Sequence, residues 1–235
     1  MNNLILQIDT STTVCSVALS ENGQTLHVIN LDEPNAHAAK LTILIEEILK
    51  QTGRNMQDLN AVAVSMGPGS YTGLRIGVST AKGLCYALDI PLIAINTLEA
   101  LFVGYRSQFG LTVGEAYLPM LDARRMEVYT AVYDHDATLV RATSAEIIDI
   151  DYFNGLLLDY DRVQLFGAGA DKFETLFSST ERVNILSGFK DSAAFLSPLA
   201  FEKFERKLFE DVAYFEPFYL KDFVVTTAKK KVGLS

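Results

Sequence analysis

Two stretches of this 235-residue chain carry residues whose types and spacing can do chemistry. One is Asp9-Thr10-Ser11-Thr12, a carboxylate followed by hydroxyls at the end of an apolar run. Such a turn can aim hydroxyl and N–H groups at a phosphate, and the same residues make an ordinary turn. The other runs from Ser65 through Met66, Gly67, Pro68, Gly69, Ser70, Tyr71, Thr72 and Gly73 to Gly77, and on through Ala81-Lys82-Gly83-Leu84. Glycines between a strand and a helix let backbone N–H groups converge, and a helix N-terminus adds partial positive charge, so this stretch is an anion cradle or a tight turn. It has neither the Gly-Lys-Ser/Thr of a P-loop nor the Gly-x-Gly-x-x-Gly of a dinucleotide fingerprint. His27, His37 and His135 stand at no metal-binding spacing, and His37 reads as a capping or packing residue. Cys15 and Cys85 read as buried reduced thiols, and Lys82 as packing its stem with the amine toward solvent or a partner.

The elements that must position these residues follow from periodicity. Residues 4–8, 14–19 and 25–31 read as strands, the last two joined at Asn22-Gly23 as a hairpin. A helix is expected over 37–51, with Leu41, Leu44, Ile45, Ile48 and Leu49 at helical spacing and Gly53 as its stop. Strand 61–65, the glycine loop and a helix over 73–88 come next, then strand 91–95 and a helical segment 97–105. The pattern loosens around 108–114, which sets the expected boundary between an N-terminal lobe, 1–108, and a smaller C-terminal lobe, 109–235. The second lobe repeats strands first and helices later: strands 117–121, 126–133, 163–166 and 183–186, with helices 171–177 and 193–209. The two halves look like a duplicated plan, with no residue-level repeat to prove it.

Composition excludes several classes. Hydrophobic residues make up 49% and charged ones 21%, which rules out a disordered chain and leaves apolar surface for a partner. The net charge of −9 is opposite to the basic footprint of a nucleic-acid binder, so this chain is not expected to grip RNA alone. The cluster Lys229-Lys230-Lys231 is a solvated tail or an RNA contact. No run approaches the roughly 18 to 20 apolar residues of a membrane span, and the first residues enter a strand pattern without a basic leader, so a cytoplasmic location without membrane association is expected.

Taken together, Asp9-Thr10-Ser11-Thr12 with Ser16-Val17-Ala18-Leu19, the block from Gly67 to Lys82, Asp122-Ala123-Arg124-Arg125 with Glu127-Val128-Tyr129, Gly167-Ala168-Gly169-Ala170, and Pro217-Phe218-Tyr219-Leu220-Lys221-Asp222 resemble the TsaB (YeaZ) family nearly end to end. The resemblance implies an α/β, two-lobed actin-like ATPase (ASKHA) fold, each lobe a mixed sheet with flanking helices and the second lobe reduced. It implies a non-catalytic subunit of the bacterial tRNA threonylcarbamoyladenosine machinery that binds and activates a TsaD-type catalytic relative. A TsaE-type ATPase would join a larger complex, tRNA would be met only through that complex, and the chain alone would form a homodimer. The alternative is a small actin-like ATPase or kinase with its own nucleotide site.

The catalytic relative carries Asn-His-x-Glu-Gly-His after its glycine loop, two histidines four apart holding a metal. This chain has Asn96-Thr97-Leu98-Glu99-Ala100-Leu101, so the resemblance implies no catalytic residue and no metal. Where the relative has a Ser-Gly-Gly phosphate turn, this chain has Asp122-Ala123-Arg124-Arg125, whose arginines are a solvated pair or meet an anion or a partner carboxylate. Tightly bound cofactors are not expected; ATP or ADP would enter only in the assembled complex, with Asp9, Ser11, Thr12, Gly67 and Gly69 as the phosphate contacts. Helix 73–88 has an apolar stripe and a second side of small uncharged residues, broken only by Arg75 and Lys82. In the family this helix and the one before it pair with the catalytic subunit, which places the partner interface at Leu74, Ile76, Thr80, Gly83 and Ala87, with Leu41 and Ile45.

Overall fold

The computed structural model describes residues 2–33 and 36–220. The first sheet is built from β1 (Leu4–Asp9), β2 (Cys15–Glu21), β3 (Gln24–Leu31), β4 (Ala61–Gly67) and β5 (Leu92–Asn96) in the order β3-β2-β1-β4-β5. Between them come α1 (Ala36–Thr52) and α2 (Tyr71–Leu88), and α3 (Thr97–Phe109) follows β5. The second sheet uses β6 (Glu115–Asp122), β7 (Glu127–Tyr133), β8 (Leu139–Ile147), β9 (Arg162–Phe166) and β10 (Val183–Leu186) in the order β10-β9-β6-β7-β8. Renumbered from its own first strand this is the same order as the first, with an antiparallel opening meander and parallel later strands. The duplication that no residue repeat betrays is therefore present in topology, and the fold is the two-lobed actin-like one. The second lobe is reduced: its own helices are the single turns α4 (Leu156–Asp159) and α5 (Glu174–Phe177).

Strand periodicity explains the layering. In β1, Leu4, Leu6 and Ile8 face α1 and α2, while Ile5 faces the opposite layer with Ala61, Ala63, Ile93 and Ile95. Both faces are covered, so β1, β2 and β4 are buried almost end to end, which is why they read as apolar runs rather than alternating ones. The β2–β3 turn is Asn22-Gly23 with both φ angles positive (51° and 80°), as the dipeptide predicts.

Two elements depart from the sequence reading. Strand β8 is an exposed sheet edge whose Arg141, Thr143, Ser144 and Glu146 hide its periodicity. The closing helix is α6 (Ser197–Glu205), entered through a 3-10 turn (Ala193–Leu196), and it stops short of residue 209. It also packs elsewhere: Leu196 and Ala200 cover Ile5, Ala61, Ala63, Ile93 and Ile95. A boundary after residue 108 therefore separates the two sheets but not the two layered bodies, because the chain returns to the first sheet. Helix α3 lies between the sheets, with Leu98, Leu101, Phe102 and Tyr105 packed on Tyr117, Leu121, Tyr133 and Phe166.

Candidate functional site

The carboxylate that opens the first motif is buried. Asp9 Oδ1 accepts from the Ser11 backbone N–H at 3.0 Å and the Ser11 hydroxyl at 2.6 Å, and Ser65 adds a further side-chain hydrogen bond. The Ser65 Oγ lies 2.7 Å from Thr97 Oγ1, so Thr97, which the resemblance sets at the first metal histidine of the catalytic relative, is spent on a hydroxyl relay with Ser65. The second metal position, Leu101, sits in the aromatic core between the lobes. Among the described residues no group of three or more His, Cys, Asp or Glu is arranged to hold a metal.

A residue that sequence reasoning missed completes this floor. Asp191, just before the 3-10 turn, is buried, and its Oδ2 has no hydrogen-bond partner. Burial, then the charge of nearby Asp9, pushes its carboxyl up to about 8, against a hydrogen bond from Thr12 that lowers it. Burial likewise raises Asp9, opposed by its Ser11 hydrogen bonds. An Asp-Ser pair before a helix reads as an end cap, so only the return of residues 190–193 to the first sheet reveals the pairing. That return is fixed by Lys190–Asp32 (2.5 Å) and by the Ala193 N–H on Ser16 Oγ (2.7 Å).

The glycine loop is closed by the chain itself. A Cβ on Gly67 would meet the Phe218 carbonyl, on Gly69 the Ser11 carbonyl, and on Gly73 the Thr10 carbonyl. Ser70 caps α2, its hydroxyl accepting from the Gly73 N–H at 3.2 Å. Of the proposed phosphate contacts, then, Asp9 and Ser11 bond each other, Gly67 and Gly69 lie against backbone, and Thr12 and Gly69 stay half-exposed. The cavity beside the loop, lined by Pro68, Gly69, Tyr71, Tyr129, Phe218 and Tyr219, measures about 40 Å³. Ligand pockets run to roughly 300 Å³ and more, so the loop reads as the tight turn of the two alternatives.

In the second lobe Asp122 bonds Lys172 at 2.5 Å and accepts from the Arg124 N–H. Arg124 and Arg125 hold positive φ angles of 78° and 50°, the backbone a glycine would adopt freely, and their side chains are exposed. Gly167 and Gly169 abut Met120 and Leu121, again by close packing. His37 Nε2 lies 3.3 Å from the Val14 carbonyl, and both cysteines are buried free thiols pushed up to about 11 by burial.

The expected partner face divides in two. Leu41, Ile45 and Leu74 are core residues, each at most 1% exposed, because their helical positions point at the first sheet; they are not available to a partner. Ile76 and Thr80 are half-buried, and Gly83 and Ala87 are exposed along one line of α2. Gly83 has open space where a Cβ would stand. The two cations that interrupt this helix are turned aside: Arg75 lies 4.2 Å over the Tyr71 ring, and Lys82 bonds backbone carbonyls. The Lys82 amine, expected to point to solvent or a partner, is held instead by carbonyls of the chain itself. Lys221, Asp222 and Lys229-Lys230-Lys231 lie outside the described residues.

Comparison with known proteins follows the same lines. The family model described as TsaD, tRNA N6-adenosine threonylcarbamoyltransferase, matches residues 33–229. The chain is 39% identical over 132 residues to the tRNA threonylcarbamoyladenosine biosynthesis protein TsaB of Escherichia coli, a stretch covering 56% of this chain and 55% of that protein. It therefore spans about half the length of that relative. The Bacillus subtilis protein of the same name is 34% identical over 164 residues, 69% of each chain. The solved structure of YeaZ from Pseudomonas aeruginosa superposes with a TM-score of 0.73 at 26% identity, covering 93% of this chain and all of that one (100%). No helix among the described residues is long and apolar enough to cross a membrane.

Proposed function

This chain belongs to the TsaB (YeaZ) family, and from that premise we propose that it is the non-catalytic partner of a TsaD-type subunit in tRNA N6-threonylcarbamoyladenosine formation. It binds and activates that subunit as a heterodimer, and a TsaE-type ATPase joins the larger complex. The observation that carries this reading is the outer line of α2, where Ile76, Thr80, Gly83 and Ala87 leave an uncharged strip beside two cations engaged by Tyr71 and by backbone carbonyls. Such a strip is poorly hydrated when bare, and small residues let another helix approach closely. Specific interfaces bury on the order of 1,600 Å² around an apolar centre, and two helices of each partner laid together supply that scale. A surface that fits a homologue nearly fits its own copy, so the chain alone pairs as a two-fold homodimer.

The same reading accounts for the filled interior. Thr97 and Leu101 stand where metal ligands are required, so the chemistry belongs to the partner. With the glycine faces occupied, ATP or ADP enters only in the assembled complex. A net charge of −9 leaves tRNA to be met through that complex.

The test is reconstitution of threonylcarbamoylation with the catalytic subunit, nucleotide and threonylcarbamoyl donor, using Gly83→Glu and Ala87→Glu. Both sites are exposed, and Gly83 has room for a side chain, so both variants keep their fold. A carboxylate buried unpaired in the contact costs several kcal/mol, so association and activity are lost together. Full complex formation and activity by either folded variant would refute the assignment of this face.

A further inference from the structure

Two features of the chain remain unexplained by a bare helix face: the cations Arg75 and Lys82 on α2, and the late motif Pro217-Phe218-Tyr219-Leu220. The structure joins them. After α6 the chain runs back along α2 as a segment without helix, residues 208–220, with a turn at 212–214, tied down at successive points. The Glu210 N–H donates to the Leu92 carbonyl at 2.9 Å, and Val212 and Phe215 insert into the core beneath α2. Lys82 Nζ donates to the carbonyls of Ala213 at 3.1 Å and Phe215 at 2.9 Å. The Phe218 N–H donates to Met66 O at 2.8 Å, and Arg75 Nε donates to the Tyr219 hydroxyl at 3.3 Å, with Tyr219 packed on Tyr71 at 4.9 Å.

Helical spacing gives this geometry its consequence. Arg75, Lys82 and Tyr86 recur at seven and four residues and share one line of α2, next to the line of Ile76, Thr80, Gly83 and Ala87. The segment lies along the first line and engages both of its cations, Arg75 through the Tyr219 hydroxyl and Lys82 through two backbone carbonyls. At the end of that line Tyr86 is 86% exposed, and on the segment itself Tyr214, directly beside the carbonyl that Lys82 holds, is 84% exposed. The turn bearing Tyr214 is itself fixed, with Asp211 Oδ1 accepting from the N–H groups of Ala213 (2.8 Å) and Tyr214 (3.2 Å). A large aromatic ring held out into water on a pinned backbone is what an interface anchor requires, because little of its freedom is left to lose on binding.

We propose that residues 208–220 form a strap that completes the docking face of α2, with Lys82 as the positioning residue that seats it and Tyr214 and Tyr86 as the anchors presented to the catalytic homologue. The inference rests on the reading of that face given above and names the part of it that lies outside the helices. The occupant is a chain of the same fold: the threonylcarbamoyltransferase family model runs through α1, α2 and the strap alike, so a homologue offers an equivalent helix pair.

The experiment measures association of the full chain with the TsaD-type subunit by titration calorimetry, alongside thermal unfolding of each variant. Tyr214→Ala removes a side chain that is almost wholly exposed, so its unfolding midpoint stays at the parent value while affinity falls at least tenfold. Lys82→Met weakens association to a similar degree, and Lys82→Arg, which still donates to two carbonyls, recovers most of it. Leu158→Ala, equally exposed (87%) on the second lobe, serves as the control and leaves affinity unchanged. If Gly83→Glu abolishes association while Tyr214→Ala binds as tightly as the parent, the docking face stands and the strap proposal is overturned. If Gly83→Glu also binds normally, the face itself is wrong. Should Lys82→Met lower the unfolding midpoint, Tyr214→Ala decides alone.

Discussion

At the scale of single residues, the chain keeps the polar floor of an actin-like cleft while using its groups on one another. Ser11 satisfies Asp9, Thr97 leans on Ser65, and Asp191 is left with one orphan oxygen within the influence of the Asp9 charge. Burial and then the charge of Asp9 disfavour the ionised form, which holds Asp191 near 8 when its ordinary value is 3.8. The folded state therefore binds more protons than the unfolded one between those values. The stability that Asp191 contributes is fully present below about pH 4, declines as pH rises, and is gone above about pH 8. Asp191→Asn keeps a donor at every pH, so its thermal midpoint should match the parent near pH 4 and exceed it by several degrees at pH 9, about 1 kcal/mol being worth roughly 2–4 °C in a chain of this size. Parallel melting curves across pH 4–9 check this; equal midpoints at pH 9 would contradict it. With Asp9 enclosed, ATP titrated into the isolated chain should show no micromolar binding. Micromolar binding abolished by Asp9→Ala would favour an ATPase instead.

At the scale of elements, α2 serves two neighbours, and its glycines sort between them. Gly73 and Gly77 face Thr10, whose carbonyl and hydroxyl stand where a Cβ would go; Gly83 faces open space. Alanine at these positions should act with opposite signs. Gly77→Ala overpacks the contact with the first turn and should lower stability by about 1–3 kcal/mol. Gly83→Ala meets nothing and gains helix propensity, raising stability by about 0.5–1 kcal/mol. Urea unfolding of both variants is the measurement, and a stabilised Gly77→Ala would contradict the packing account. A glycine that weakens its own helix without a local contact points to a benefit realised outside the chain, which agrees with close approach of a partner helix.

At the scale of the molecule, the first sheet is finished by residues that arrive last. Leu196 and Ala200 cover one face of β1, β4 and β5, and the strap seals the edge of α2. A chain ending at residue 109 would leave Ile5, Ile93 and Ile95 bare on that side, each such side chain representing about 1.5–3 kcal/mol of lost burial. That fragment should show no cooperative thermal transition and no sharp near-ultraviolet circular dichroism, whereas the whole chain shows both. A cooperative melt of the fragment would mean that the N-terminal lobe is self-sufficient.

Much of this architecture was legible locally. The buried strands, the Asn22-Gly23 hairpin, the apolar stripe of α1 and the order strand, glycine loop, helix all follow from residue spacing, because periods of 2 and 3.6 are imposed by backbone geometry within a few residues. Strand β8 was hidden because an exposed edge needs no apolar alternation. The stripes of α1 and α2 were legible too, and Gly83 and Ala87 lie outside as spacing predicts; Leu41, Ile45 and Leu74, placed at the partner face with them, belong to the buried stripes and are core. The sequence could not bring Asp191 to Asp9, or Lys82 to the carbonyls of Ala213 and Phe215. Those pairings join residues more than a hundred positions apart, and contacts of that range are set by how the layers stack and where the chain returns, which only the tertiary structure decides.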